Sequence, residues 1–270
     1  MMNSIFTLGL FLYSLQLFSQ GNLVVYPKRI EFDNLRDRVK TVSLTNTGSD
    51  TTSYRIFFSQ IRMTSNGEMQ EIKEPDPGQN FANKNVRFFP RHITIAPKKS
   101  QLVKLQLIRT GDLKDGEYRS HLVFQAQLKN HSQKPAEKVK ANQISINIKP
   151  LFGLGIPVII KKGTPEITVE LSKLAVGKED EHHFLSLDVS RKGNMSPYGI
   201  FEVNYFSPSG EKTQVARIMG ISVYIPTQRL KLKLRLLDSK KIDYNQGRLI
   251  VSYTSMPPET ISYAENEIKL

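Results

Sequence analysis

From Ile144 to Ile160 the chain reads I-S-I-N-I-K-P-L-F-G-L-G-I-P-V-I-I. Every even position is apolar: Ile144, Ile146, Ile148, Pro150, Phe152, Leu154, Ile156, Val158 and Ile160. Ser145, Asn147 and Lys149 fill the odd positions of its first half. Alternation with period two places one set of side chains on one face of a β-strand. An ordinary strand has about 5–6 residues, so this run outreaches a single small domain. Such a strand must cross between domains or leave an edge free for something else. Shorter strand-like runs surround it: Leu23–Ile30, Val39–Asn46, Tyr54–Ile61, Gln101–Ile108, Tyr118–Leu128, Glu166–Leu171, Phe184–Ser190, Ile200–Phe206, Ile221–Ile225, Leu230–Leu237, Arg248–Tyr253 and Glu267–Leu270. Turn signals such as Asn46-Thr47-Gly48, Ser65-Asn66-Gly67, Asp115-Gly116 and Pro208-Ser209-Gly210 separate them. No segment keeps a helical period. Many short strands at close spacing predict an all-β chain built from β-sandwiches.

The basic segment Lys161-Lys162-Gly163-Thr164-Pro165 is the best domain boundary. It divides the chain into 20–162 and 163–270, each suited to one immunoglobulin-like sandwich of about 100 residues with an insertion or two. The polar stretch Thr64–Asn85 reads as a long loop or loosely held strand. Lys129–Asn142 reads as a basic loop leading into the long strand. Within that strand, Pro150 and Pro157 have no N–H to donate to a ladder, which confines them to an edge, a strand start or a bulge. Their opposite parity aims the two missing donors at opposite sides. A bulge or kink at Gly153 and Gly155 is expected to resolve the conflict, leaving halves Ile144–Phe152 and Ile156–Ile160. A long apolar edge is an aggregation hazard, and its obvious use is pairing with another chain.

Composition narrows the setting. Cysteine is absent, which excludes a disulfide framework and thiolate chemistry. Ile5–Phe18 is apolar and uncharged but too short to span roughly 30 Å of hydrocarbon, and the small residue Ser19 follows it. This predicts a signal peptide over 1–19 and an exported mature chain, although the first four residues lack Lys or Arg and Leu17 is bulky. The net charge of +13 comes without an arginine run or a nucleic-acid motif, so nucleic acid is not an expected partner. Of the five histidines, His182 and His183 lie in a charged turn beside Glu179, Asp180 and Glu181. Neighbours in a strand point opposite ways, so this pair makes a poor metal site. His121 alternates with Arg119 and Val123 and reads as a packing residue able to touch a cleft. No nucleophile elbow, phosphate loop or zinc spacing occurs. No catalytic residue, metal or cofactor is therefore expected. A secreted carbohydrate-active enzyme is disfavoured because tryptophan is absent and no carboxylate pair stands out. An exported adhesion or binding module remains the alternative.

Several segments, in order along both halves, resemble the periplasmic pilus-assembly chaperones of chaperone–usher systems, in particular their archaic branch. They are Tyr26-Pro27-Lys28-Arg29-Ile30-Glu31-Phe32, Ser43–Gly48, Phe89-Pro90 with Ile95-Ala96-Pro97, Gly116-Glu117-Tyr118-Arg119-Ser120-His121-Leu122, Gly155–Ile160, Arg191–Gly199 and Gly220–Pro226. The resemblance implies two immunoglobulin-like domains set at an angle, in the periplasm. It implies that incomplete pilin subunits borrow the long edge strand, with Ile144, Ile146 and Ile148 as plugs and Pro150 and Phe152 beside them. The subunit would then pass to an outer-membrane usher. A free copy could self-associate through the same edge. Basic residues in the interdomain cleft would hold the subunit's C-terminal carboxylate. Arg29 matches the first-strand arginine. The lysine that better-known branches place late in the long strand is missing here, where the chain reads Ile-Pro-Val-Ile-Ile, so Arg119 is the substitute and Lys149 the third choice.

Overall fold

The structure, a computed structural model, describes residues 22–33, 35–127, 153–239, 242–258 and 260–270. The first part contains β1 (Leu23–Tyr26), β2 (Ile30–Phe32), β3 (Val39–Asn46), β4 (Thr52–Ser59), β5 (Ile61–Met63), β6 (Met69–Glu71), β7 (Val86–Phe89), β8 (His92–Ile95), β9 (Ser100–Leu107), β10 (Gly116–Ala126) and β11 (Gly153–Lys162). The second contains β12 (Ile167–Glu179), β13 (His182–Gly193), β14 (Tyr198–Phe206), β15 (Lys212–Ser222), β16 (Arg229–Arg235), β17 (Arg248–Ser255) and β18 (Ser262–Lys269). Apart from one 3₁₀ turn at Thr110–Asp112, the regular elements among the described residues are all strands.

They form two immunoglobulin-like sandwiches. In the first, a sheet ordered β1-β3-β9-β7 faces one ordered β2-β11-β10-β4-β8; in the second, β12-β13-β16 faces β15-β14-β17-β18. The period-two pattern explains both cores. Val42 and Leu44 on β3, Val103, Leu105 and Leu107 on β9, Leu122 and Phe124 on β10, and Ile156, Val158 and Ile160 on β11 fill the first. The second centres on Phe201 stacked on Tyr253, with ring centroids 4.1 Å apart. Each such side chain, fully buried, stabilises by about 1.5–3 kcal/mol.

Several sequence expectations need correction. The run Leu23–Ile30 is two strands in different sheets, divided at Pro27, which has no N–H for a ladder. Tyr54–Ile61 likewise divides at Gln60. Of the stretch Thr64–Asn85, read as a long loop or loosely held strand, Met69–Glu71 is the second strand of the β5–β6 hairpin, which turns through Gly67 at φ 83°. Strands β7 and β8 have only four residues each, too few for a sustained period, and β15 is an edge strand whose Ile218 and Met219 stay exposed. Of the run Ile221–Ile225 only Ile221 and Ser222 belong to β15; Val223 fills the second core, while Tyr224 and Ile225 contact the first sandwich.

The long strand also differs from expectation. Ile144, Ile146, Ile148, Lys149, Pro150 and Phe152 lie outside the described residues, as does the segment 1–19. From Gly153 to Lys162 the pairing of β11 with β10 runs without a register shift, so no bulge falls at Gly153 or Gly155. Nor is β11 an edge throughout. Parallel β2 covers Val158–Ile160, whereas Gly153–Pro157 has β10 as its one ladder partner among the described residues.

Candidate functional site

Strand β10 carries the unusual burial. Its even positions Leu122 and Phe124 enter the core, so its odd positions should face solvent. Instead Glu117, Arg119 and His121 are only 3%, 3% and 6% exposed, because the second sandwich and the β5–β6 hairpin cover that face. The same happens on neighbouring β11, where odd-numbered Ile159 leaves the core pattern and packs with Met63 and Tyr224. In register, Arg119 lies opposite Ile159, and Ile159 opposite Glu31 of β2. A row of the sheet thus forms the floor of an interdomain site.

Tyr224 is the roof. The Arg29 guanidinium lies 4.0 Å from the Tyr198 ring centroid and 5.7 Å from that of Tyr224, and Arg29 Nη1 donates to the Tyr224 hydroxyl at 2.9 Å. The Arg119 guanidinium lies 4.1 Å from the Tyr224 ring centroid. Cation–π contacts of this kind strengthen when desolvated. Arg29 Nε donates to Glu31 Oε1 at 2.5 Å, and Lys161 completes the pairing of Glu31 at 3.2 Å. Arg119 has no such partner among the described residues: its Nη2 donates to the carbonyls of Ile61 at 3.2 Å and Ile225 at 3.3 Å. Glu117 is engaged elsewhere, accepting from the Ser196 backbone N–H at 2.7 Å and hydroxyl at 2.8 Å. Ile225 N–H in turn donates to the Ser196 hydroxyl at 3.0 Å.

Four buried side-chain polar atoms among the described residues lack a hydrogen-bond partner, and all lie here: Arg29 Nη2, Arg119 Nε, Arg119 Nη1 and His121 Nδ1. Arg29 Nη2 sits against Glu31 but donates no well-aligned bond to it. Unsatisfied buried polar groups are rare and costly.

Electrostatics follow the packing. Burial acts to lower the Arg29 pKa, but the Tyr224 hydroxyl, Glu31 and Glu117 more than offset it, and the value rises. Burial lowers that of Arg119, with Tyr224 and Glu117 opposing only in part. His121 is pushed down to about 3 by burial first, then by Arg119 and Arg29. At neutral pH the site therefore holds a neutral imidazole and two guanidinium groups, one of them without a carboxylate. Arg119 Nε and Nη1, two N–H-bearing nitrogens with no hydrogen-bond partner beside the Glu31-paired Arg29, are chemically suited to a carboxylate or another small oxyanion.

The structure thus brings Arg29 and Arg119 together on one ring, while Lys149 lies outside the described residues. Sequence reasoning missed Glu31, Glu117, Lys161, Ser196, Tyr198 and Tyr224. The alternation of Glu117, Arg119 and His121 against Leu122 and Phe124 was visible, but a polar period-two set reads equally as a solvated face. His182 and His183 also depart from expectation: both approach Asp238, at 2.8 and 3.0 Å. No cluster of three or more His, Cys, Asp or Glu able to hold a metal occurs among the described residues.

No protein-family model and no curated protein matches the chain. Among solved structures it is similar to a chaperone–tip adhesin complex of CFA/I fimbriae biogenesis, at 11% identity and TM-score 0.47, over 92% of this chain and 98% of that one. It is similar to the Pseudomonas aeruginosa CupB2 chaperone at 9% identity and TM-score 0.45, over 92% and 100%. It is also similar to the CsuC–CsuE chaperone–tip adhesion subunit pre-assembly complex from archaic chaperone–usher Csu pili of Acinetobacter baumannii, at 10% identity and TM-score 0.42, over 92% and 98%.

Proposed function

We propose that the chain is a periplasmic chaperone of the chaperone–usher pathway, a non-enzymatic protein that binds pilin subunits and delivers them to an outer-membrane usher. The observation that carries this reading is the buried, donor-rich cluster of Arg29 and Arg119 between the two sandwiches, with orphaned N–H groups and no carboxylate on Arg119. A subunit's C-terminal carboxylate supplies the missing acceptors, and each charge-assisted bond contributes roughly 1.5–3 kcal/mol.

The free side of β11 supports the second half of the mechanism. Among the described residues Gly153–Pro157 has no neighbour opposite β10, and the sequence upstream keeps the apolar alternation through Ile148, Ile146 and Ile144. An incomplete sandwich that pairs with this edge gains main-chain hydrogen bonds and buries alternate side chains. Each aliphatic plug contributes about 1.5–3 kcal/mol, less the cost of ordering strand and loop. The sequence resemblance along both halves adds the family context, including export after removal of 1–19.

The test is co-expression with candidate small exported pilin-like subunits, followed by co-purification. Ile146→Asp is expected to abolish recovery of the subunit while the chaperone melts as before, because an unpaired charge in an apolar pocket costs several kcal/mol. Unchanged recovery with Ile146→Asp would sink the donated-strand reading.

A further inference from the structure

Arg29 and Arg119 reach the cluster from different parts of the first sandwich, yet both end on one residue of the second. Arg29 precedes β2, and Arg119 lies in the first half of β10; on the floor of the site, Ile159 separates Arg119 from Glu31. Two guanidinium groups repel one another, and Arg29 indeed acts to lower the Arg119 pKa. The Tyr224 ring offers its face to Arg119 at 4.1 Å, and its hydroxyl accepts from Arg29 at 2.9 Å.

Tyr224 is itself held by both sandwiches. Its neighbour Ile225 donates through N–H to Ser196, which donates to Glu117 of β10, and accepts through its carbonyl from Arg119. Met63, at the end of β5, and Ile159 pack against Tyr224. Thr227 donates to the Met63 carbonyl, and Lys231 N–H to the Ser65 carbonyl at 2.7 Å, so the β5–β6 hairpin grips the second sandwich on the far side.

We infer that Tyr224 is the positioning residue of the anion site: one phenol from the second sandwich sets the spacing of both guanidinium groups, so the site is complete only while the two sandwiches are docked. This rests on the carboxylate-binding reading above and deepens it. The second sandwich is then a working part of client recognition, because domain docking and carboxylate capture draw on the same ring.

The probe is acetate, with acetamide as its neutral counterpart of the same shape, titrated into the full mature protein. The readouts are the Arg119 Nε–H resonance in the ¹⁵N–¹H spectrum and the melting temperature. In the parent protein acetate shifts the resonance and acetamide does not. Tyr224→Phe keeps the ring facing Arg119 but removes the hydroxyl that accepts from Arg29, and is expected to weaken acetate about threefold. Ring-fluorinated phenylalanine at the same position keeps the shape but reverses the ring's charge distribution, and is expected to weaken acetate roughly tenfold relative to Phe. A purely structural Tyr224 lowers melting without separating these two variants. Equal acetate affinity in the two ring variants, with acetate binding lost in Arg29→Ala, overturns the positioning role and leaves the carboxylate reading intact. Failure of acetate to shift the parent resonance, or equal shifts by acetamide, overturns both.

Discussion

Acid should weaken this protein through His121. The imidazole is almost fully buried on β10, between Ser59 of β4 and Pro157 of β11 in register, and edge-on to Tyr224 with ring centroids 6.5 Å apart. The charged groups facing it are Arg119 and Arg29, and both disfavour a further proton. Its pKa falls from the ordinary 6.5 to about 3, chiefly through burial. In the unfolded chain the ring titrates near 6.5, so below that pH the unfolded state binds a proton that the folded state refuses. Stability is therefore complete above about pH 6.5 and is lost progressively as pH falls towards 3. The slope approaches about 1.4 kcal/mol per pH unit, and between pH 7 and pH 5 the loss from this one group is about 2 kcal/mol. Other groups titrate over the same range, so the measurement is a difference. Urea unfolding of the parent and of His121→Gln, a neutral replacement, is followed at pH 7, 6 and 5. The gap between their unfolding free energies should shift by about 2 kcal/mol in favour of the variant on going from pH 7 to pH 5. Parallel pH profiles would refute the reasoning, because they would mean that the ring takes up its proton as readily folded as unfolded.

Glu117 and Ser196 should couple across the domain boundary: in a double-mutant cycle of Glu117→Gln and Ser196→Ala followed by chemical unfolding, the coupling is expected to reach about 1–3 kcal/mol, whereas additivity would mean that their two short bonds do not form. Arg29→Ala should weaken subunit capture far more than Lys99→Ala, an exposed control, because a partly enclosed charge-assisted bond contributes roughly 1.5–3 kcal/mol and an exposed pair about 0–1; equal capture by both folded variants would remove the anchor. Amino-terminal sequencing of the exported product should begin near Gln20, and recovery of an intact Met1 chain from the cytoplasm would contradict export.

The sequence by itself determined the all-β character, the sandwich class and most central strands. Those properties follow from local alternation: a strand that buries one face needs apolar residues at every second position, and β3, β9, β10, β13 and β17 all show it. The same logic failed where burial did not set the pattern. Edge strand β15 leaves Ile218 and Met219 exposed and so breaks the alternation that burial imposes, and the short β5–β6 hairpin gains its burial from the other sandwich, through Met63 on Tyr224. Arg29 and Arg119 were legible as candidate anchors only by resemblance to a family. Their meeting on Tyr224, and the burial of Glu117 and His121, were decided by tertiary structure alone. A polar face on a strand looks the same in sequence whether water or a second domain covers it. The docking of the second sandwich turned that face into a dry interface, and the loss of water left Arg119 and His121 with unsatisfied polar atoms and lowered pKa values.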